Sequence, residues 1–243
     1  PTGNVTRAEM AKMIATILNQ GADIDGLYTG MNTGLTDVSG HWAESYINYC
    51  YSLGIIAGRG DGTFDPGATV TGNEAAKMLL VAVGYDANIE GLTGNDWAIR
   101  TAALASNLGI FDNLTVATSN ELNRDNAALL VYNALDIEMI QRYENGYAIV
   151  YNDYRTLLSN KYGVYRLQGV VIGNEWARLE NTGSDASLAE GKTRLGELRL
   201  VDSSTVSTRP GVEDGLDRPD TTFNVSTPVE YLGQTVTMYV RNT

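Results

Sequence analysis

The sequence of 243 residues contains one cysteine and one histidine. A single cysteine allows no internal disulfide, and a Cys/His zinc cluster cannot be assembled from one residue of each type. A Ser-His-Asp or Cys-His catalytic site would have to use His41. Only carboxylate chemistry therefore remains open on composition, and we expect no metal, no cofactor and no catalytic residue.

Basic residues are also scarce, since 17 Lys and Arg stand against 29 Asp and Glu, which gives a net charge of −12. This balance argues against nucleic acids and anionic membranes as partners, because both require a basic surface. No run of about 18 apolar residues occurs, so no membrane insertion is predicted. The chain begins at Pro1 without a methionine or a signal peptide, and we interpret it as a fragment of a longer protein.

Three segments repeat the pattern of a capped amphipathic helix. They read VTRAEMAKMIATIL from Val5, VTGNEAAKMLLVAV from Val70 and LNRDNAALLVYNAL from Leu122. Their apolar residues recur at i, i+3, i+4, i+7 and i+8, which is one face of a helix. The first two segments begin with the Thr-x-x-Glu capping box, and the third has Asn123 as its N-cap. We therefore predict three equivalent helices with capped N-termini.

A second kind of segment occurs twice, as WAESYINYCYSLGII from Trp42 and WAIRTAALASNLGIF from Trp97. Cys50 lies on the apolar face of the first copy, which predicts a buried, inert thiol. Gly54 and Gly109 follow the two helices at the position that requires a left-handed backbone. The repeating unit is therefore a helix, a glycine-rich loop and a capped helix.

These segments together resemble the S-layer homology (SLH) family, whose pattern appears here as TDVSGHWAESYINYCYSLGIIAGRGDGTFDPGATVTGNEAAKML and VTRAEMAKM. The resemblance covers residues 1–142, divided into the second helix of unit one (1–20), unit two (35–84) and unit three (95–140). It implies an all-α repeat module with a pseudo-threefold helical bundle. It also implies a secreted, non-catalytic cell-wall or S-layer protein of a Gram-positive bacterium (Firmicutes) that binds secondary cell-wall polysaccharide.

In that family, the sugar lies in grooves between repeat units. The resemblance therefore implies glycan contacts at Arg7, Asp37, Trp42, Gly58, Gly62, Trp97 and Arg124. An arginine just inside a helix is not needed for capping, so we expect Arg7 to project freely. Its planar guanidinium suits a carboxylate, such as the pyruvate ketal that these polymers often carry.

Structural interpretations of the same residues remain open. Arg7 is also compatible with a solvated position on the helix, and the two tryptophans begin apolar stripes, which favours packing into the bundle. Gly72 stands where unit one has Arg7, and unit three lacks the Gly-Asp-Gly-Thr-Phe loop, so we expect unequal grooves. We interpret the loop GRGDGTFDPG (58–67) as a turn rather than an adhesion or calcium motif. In an EF-hand register, positions 1, 3 and 12 would hold no carboxylate.

Residues 143–243 have a different character. The β-branched or aromatic runs GYAIVYN, YRLQGVVIG, GELRLVD, TTFNVS and QTVTMYV predict a small antiparallel β domain, with a barrel as one possible closure. The segment RTLLSNKYG predicts one short helix, and residues 209–220 predict a polar loop. The overall expectation is a multidomain α + β chain.

The leading functional hypothesis is a wall-anchoring, structural fragment of an S-layer protein, whose partners are the wall polysaccharide and other S-layer subunits. One alternative is the wall anchor of an extracellular glycan hydrolase whose catalytic domain lies outside this fragment. Another is a lattice-assembly interface without glycan binding. The acids considered for a glycosidase pair are Glu175, Glu180, Glu197 and Asp202. Their spacing selects no pair, so we interpret them as surface residues.

Overall fold

The computed structural model describes residues 2–179, 187–201, 206–207 and 222–241. The predicted polar loop at 209–220, together with Glu180 and Asp202, lies outside these residues. The chain forms two compact units. The first comprises Pro1–Tyr151 and Arg155–Tyr162, and the second comprises Asn152–Tyr154 and Gly163–Thr243.

The first unit is mainly helical. Its elements are α1 (Arg7–Leu18), α2 (Glu44–Ser52), α3 (Gly72–Ala82), α4 (Trp97–Asn107), α5 (Arg124–Ala134), the hairpin strands β1 (Ile140–Glu144) and β2 (Tyr147–Val150), and α6 (Leu157–Tyr162). The hairpin turns at Asn145 and Gly146, whose φ angles of 50° and 83° suit an Asn-Gly turn. The division into repeats within residues 1–142 and a β domain at 143–243 stays a prediction, and the hairpin belongs to the first compact unit.

The predicted N-terminal caps are confirmed. The Thr6 hydroxyl accepts a hydrogen bond from the Glu9 N–H, and the Glu9 carboxylate accepts one from the Thr6 N–H. Thr71 and Glu74 form the same reciprocal box at α3. At α5, the Asn123 side chain caps the helix alone. The sequence pattern therefore correctly placed the starts of all three helices.

A closed ring of backbone hydrogen bonds joins the residues that precede these three caps. The Val5 N–H donates to the Leu122 carbonyl, the Val70 N–H donates to the Val5 carbonyl, and the Leu122 N–H donates to the Val70 carbonyl, each at 2.9 Å. All three side chains are buried. Because water is excluded there, breaking any of these bonds would leave polar groups unsatisfied.

One hydrophobic core receives side chains from all five helices α1–α5. Its largest fully buried members include Met10, Ile14, Tyr46, Ile47, Phe64, Leu79, Leu80, Leu122 and Leu130. Each such side chain contributes roughly 1.5–3 kcal/mol on burial. Cys50 lies in the same core, and burial raises the pKa of its thiol to about 12. The predicted buried, inert thiol is therefore confirmed.

The loop at residues 58–67 is a turn, as predicted. The Asp61 carboxylate accepts hydrogen bonds from both the N–H and the hydroxyl of Thr63. Gly60 has a φ of 95°, in the left-handed region that favours glycine. The chain then returns to the core through Phe64, whose side chain is fully buried.

The second unit contains an antiparallel sheet. Its strands are β3 (Val164–Asn174), β4 (Thr193–Val201), β5 (Val206–Ser207), β6 (Thr222–Phe223) and β7 (Thr235–Arg241), with a 3₁₀ turn at Val229–Tyr231. The strand order is β5-β4-β3-β7, and β6 also pairs with β4. The mixed α and β content is confirmed, but the strands that the structure describes form no closed barrel. Among the same residues, no helix is long and apolar enough to cross a membrane.

Candidate functional site

The first unit contains a groove of about 440 Å³, here called groove A. Residues 55–60, at the entry to the glycine-rich loop, line one side of it. The charged and aromatic residues that line the groove are Arg7, Arg59, Glu74, Lys77 and Trp97. The groove therefore combines three cations, one carboxylate and one aromatic ring.

A second groove of about 580 Å³, here called groove B, lies along the other face of α1. It is lined by Val5, Glu9, Lys12, Met13, Thr16, Ile17, Arg124 and Val131. Trp42 adjoins it, because the Lys12 ammonium lies 5.8 Å from the centre of the Trp42 ring. Groove B is thus lined by two cations and one carboxylate, and the Trp42 ring lies next to one of the cations.

The two grooves carry matched sets of four side chains. The set in groove A is Arg7, Glu74, Lys77 and Trp97, and the set at groove B is Arg124, Glu9, Lys12 and Trp42. Each arginine is the first residue of its helix, and each glutamate and lysine is the third and sixth residue of the neighbouring capped helix. Each tryptophan lies at the start of the helix in the next segment. The sequence repeat is therefore also a repeat of the side chains around the two grooves.

Each capping glutamate also accepts a hydrogen bond from one of the two arginines. Glu74 accepts from the Thr71 N–H through Oε2 and from Arg7 Nη1 through Oε1, the latter at 2.7 Å. Glu9 divides its two oxygens in the same way between its own helix and Arg124, whose Nη2 lies 3.4 Å away. Hydrogen bonding from the Thr6 backbone is the main cause that lowers the pKa of Glu9, so this carboxylate stays ionised beside the cation.

Arg7 does not project freely, so that prediction is wrong, as is the alternative of a solvated position. The residue is only 7% exposed. Its Nε donates to the Phe64 carbonyl at 2.9 Å, and its guanidinium lies 4.6 Å from the centre of the Phe64 ring. Burial lowers the pKa of Arg7, and the Coulombic attraction of Glu74 opposes this. The glycine-rich loop (58–67) of repeat unit two folds over the start of α1 and therefore encloses the arginine.

Arg124 is the exposed counterpart of Arg7. Its side chain is 65% exposed, and its ion pair with Glu9 is long. An exposed pair of this kind is weak, because solvent screens it. The guanidinium of Arg124 therefore keeps most of its hydrogen-bonding capacity for a ligand.

The two tryptophans differ from the expectation that they pack into the bundle. Trp42 is 53% exposed, and Trp97 is half-buried at the edge of groove A. Lys77 lies 5.5 Å from the centre of the Trp97 ring, as Lys12 does at a similar distance from Trp42. These are favourable cation–π distances. The two lysines were missing from the predicted site, although TRAEMAK and TGNEAAK place them at the same position of the repeat.

Asp37, Gly58 and Gly62 shape the loop. The Asp37 carboxylate accepts hydrogen bonds from the backbone N–H groups that open the second half of the loop, at 2.8 and 2.7 Å. A Cβ on Gly58 would lie 2.8 Å from the Thr63 carbonyl oxygen, and Gly62 has a φ of 87°. Of the three, only Gly58 lines groove A. A direct glycan contact stays a prediction for each of them.

Repeat unit two has Gly72 at the position where the other two repeat units have an arginine. The contact between α3 and repeat unit three explains this difference. The Gly72 N–H donates to the Asn120 carbonyl, and the Asn73 N–H donates to the Thr118 carbonyl at 2.7 Å. A Cβ at residue 72 would lie 2.6 Å from the Thr118 oxygen. The shortened loop of unit three therefore occupies the space that an arginine at this position would need.

Replacing Gly72 with alanine is expected to lower the free energy of unfolding by about 1–3 kcal/mol, because the methyl group meets backbone rather than a flexible side chain. The same change in an open helix would be stabilising. Urea denaturation followed by circular dichroism measures the effect. Gly67→Ala is the control, since a Cβ there meets nothing within 4 Å. Equal stability of the two variants would contradict a closed junction.

Two further titratable residues that the sequence analysis considered, His41 and Glu175, make local hydrogen bonds. His41 accepts a hydrogen bond from the Ala43 N–H through Nδ1. Glu175 accepts from the Gly191 N–H and the Ser226 hydroxyl, and these bonds lower its pKa. Over the residues that the structure describes, no three His, Cys, Asp or Glu side chains are grouped to hold a metal ion.

Comparison with known proteins agrees with the repeat pattern. Residues 34–76, which include the loop and the start of α3, match the family model of the S-layer homology domain. The chain thus carries an S-layer homology domain and is similar to surface-layer proteins of Gram-positive bacteria. It is a secreted protein of the cell wall or S-layer.

Three relatives illustrate this similarity. A cell surface protein of Thermoanaerobacter kivui is 26% identical over 83% of this chain and 24% of its own length. A surface layer protein of Brevibacillus choshinensis is 30% identical over 74% of this chain and 15% of its length. A cellulosome-anchoring protein of Acetivibrio thermocellus is 34% identical over 32% of this chain and 17% of its length. The chain thus spans a quarter or less of these relatives, which support a cell-wall anchoring surface protein.

Proposed function

We propose that the helical unit binds secondary cell-wall polysaccharide non-covalently, and that it anchors a surface-layer protein to the wall. The observation that carries this proposal is the pair of matched side-chain sets in grooves A and B. In each set, the lysine and the tryptophan neither cap a helix nor belong to the hydrophobic core, so bundle stability alone does not account for their recurrence. A polymer with a repeating unit, in contrast, presents the same chemical groups to both grooves.

The side chains suit an acidic sugar. The exposed face of Trp42 offers an apolar platform to a pyranose ring, and tryptophan combines a large contact area with few rotatable bonds. Lys12 lies beside this ring and, with Arg124, lines groove B, where both can supply charge-assisted hydrogen bonds to a carboxylate. A pyruvate ketal on the polysaccharide would provide such a carboxylate. The protein carries a net charge of −12, so these cationic grooves are also local exceptions on an acidic chain.

The module is, in this proposal, a non-catalytic pseudo-threefold bundle. The ring of hydrogen bonds among Val5, Val70 and Leu122 supports the symmetry, because each residue makes the same bond to the next. The three inter-unit junctions are unequal. Two of them are grooves, and the third is closed at Gly72.

Two other functions use the same module. The name of the cellulosome-anchoring relative favours an anchor for an extracellular glycan hydrolase, whose catalytic domain would lie elsewhere in the full protein. The sequence of the complete protein distinguishes this case. A lattice interface with other S-layer subunits is the second, and it predicts that variants at the grooves disturb assembly but leave wall binding unchanged.

Replacing Arg124 with alanine is expected to weaken wall binding about ten-fold or more, because a charge-assisted hydrogen bond to the ligand is lost. Co-sedimentation with walls of a Gram-positive bacterium that carries an S-layer measures this, before and after the wall polysaccharide is extracted. Arg142→Ala is the matched control, since this arginine is 51% exposed on the hairpin, away from both grooves. Equal binding to intact and extracted walls would contradict the proposal.

A further inference from the structure

We propose that Arg59 of the glycine-rich loop, rather than Arg7, is the guanidinium that contacts the ligand in groove A. This inference rests on the proposed glycan-binding function and specifies the residue that recognises an acidic group there. It reassigns a role that the repeat pattern gives to the first residue of α1. It also places a determinant of specificity on a loop that is absent from unit three.

The side chain of Arg7 already makes hydrogen bonds to other residues of the fold. Its Nε and Nη1 donate to the Phe64 carbonyl at 2.9 Å and to Glu74 at 2.7 Å, and its side chain is 9% exposed. Turning this guanidinium toward a ligand would leave a buried carbonyl and a largely buried carboxylate without their partner. The penalty for unsatisfied buried groups is large compared with the gain from one new contact. Arg7 therefore acts as a positioning residue for the loop.

Arg59 approaches the same carboxylate from the solvent side. Its Nη1 lies 3.1 Å from Glu74 Oε1, and its Nη2 lies 3.5 Å from Asp65 Oδ2. The side chain is 38% exposed, far more than that of Arg7. Its backbone is fixed, because the Arg59 N–H donates to the Thr63 carbonyl at 2.7 Å. The residue is thus held by its backbone, while its side chain is partly exposed to solvent.

The contacts of Arg59 are ones that a ligand can replace at low cost. Its pair with Asp65 is long and exposed, and such pairs contribute little to stability. Gly58 and Gly60 flank Arg59 and also line the groove, so neither residue adjacent to Arg59 in the chain has a side chain that could cover it. A ligand carboxylate can therefore take the place of Asp65 on the guanidinium while Glu74 continues to hold Arg7.

The other side of groove A is suited to the sugar that carries the carboxylate. Lys77 and Trp97 line the same groove, with the ammonium over the ring at 5.5 Å. Burial lowers the pKa of Lys77, and the nearby Arg7 contributes to the same shift. An anionic ligand would compensate the positive charge concentrated there. Each groove then offers one exposed guanidinium, Arg124 from a helix start in groove B and Arg59 from the loop in groove A.

The test uses the full chain with Arg124→Ala. This variant lacks the guanidinium of groove B, so that recognition of the acidic group depends on groove A. The probe is a purified acidic oligosaccharide from the wall, compared with the same oligosaccharide after its carboxylate groups have been removed. Adding Arg59→Ala is expected to weaken binding of the acidic probe about ten-fold and to flatten its dependence on salt. Binding of the neutral probe and the melting temperature should change little. Arg59→Lys should keep part of the affinity, since it retains the charge but loses the planar fork.

Replacing Arg7 tests whether Arg59 or Arg7 is the residue that contacts the ligand in groove A. In the same Arg124→Ala background, Arg7→Gln is expected to lower the melting temperature, whereas the protein that remains folded should still bind the acidic probe more tightly than the neutral one. The inference is overturned if Arg59→Ala binds like its parent, or if folded Arg7→Gln loses this discrimination. It is also overturned if the Arg124→Ala parent binds nothing while the unmodified chain binds. Failure of the unmodified chain to bind either probe would instead reject the proposed function together with the inference.

Discussion

Replacing Phe64 with alanine is expected to lower the free energy of unfolding by about 3–5 kcal/mol, the cost of removing a large aromatic side chain from a packed core. Phe64 is fully buried, and its ring packs under the guanidinium of Arg7. Its backbone N–H also donates to Asp37, and its carbonyl accepts from Arg7. Loss of the ring would therefore loosen the loop, the start of α1 and the wall of groove A together.

Urea denaturation gives this free energy, and an unchanged m-value would show that the extent of unfolding is the same. Ile99→Ala is the control, because this side chain is 74% exposed on α4 and its removal should cost less than about 0.5 kcal/mol. A loss below about 1 kcal/mol for Phe64→Ala would contradict the central position of the ring. It would also contradict the interpretation of residues 58–67 as a turn that Phe64 attaches to the hydrophobic core.

The elements that depend on nearby residues could be predicted from the sequence. The capping boxes at Thr6 and Thr71 and the left-handed glycines after α2 and α4 follow from local backbone chemistry, and all are present. The interpretation of residues 58–67 as a turn succeeded for the same reason. The repeat also placed both tryptophans and both arginines at equivalent positions.

The properties that depend on distant residues could not be predicted. Arg7 is buried because the Phe64 carbonyl, 57 residues away, lies over it. Position in the helix gave no indication of this contact. Trp42 begins an apolar stripe, yet its ring stays exposed beside Lys12. Each tryptophan lies next to a lysine from a different repeated segment. The sequence repeat indicates this pairing only when the positions of the lysines are compared as well.

Replacing both Trp42 and Trp97 with alanine is expected to reduce wall binding below detection. In the proposed function, each ring offers an apolar platform to the sugar, and loss of a buried tryptophan from an interface costs on the order of 2 kcal/mol, or about thirty-fold in affinity. Each single variant keeps one groove and should bind with intermediate strength. The double variant also loses the avidity that two sites gain on one polymer. Calorimetric titration with purified wall polysaccharide measures these differences.

This titration tests the central claim, that the matched grooves A and B bind the wall polymer, most directly. Trp176→Ala is the matched control, because this tryptophan is 64% exposed but belongs to the second unit. We expect the control to bind like the unmodified chain and the Trp42→Ala, Trp97→Ala double variant to give no measurable heat while its melting temperature is retained. A folded double variant that binds as tightly as the control would contradict the claim.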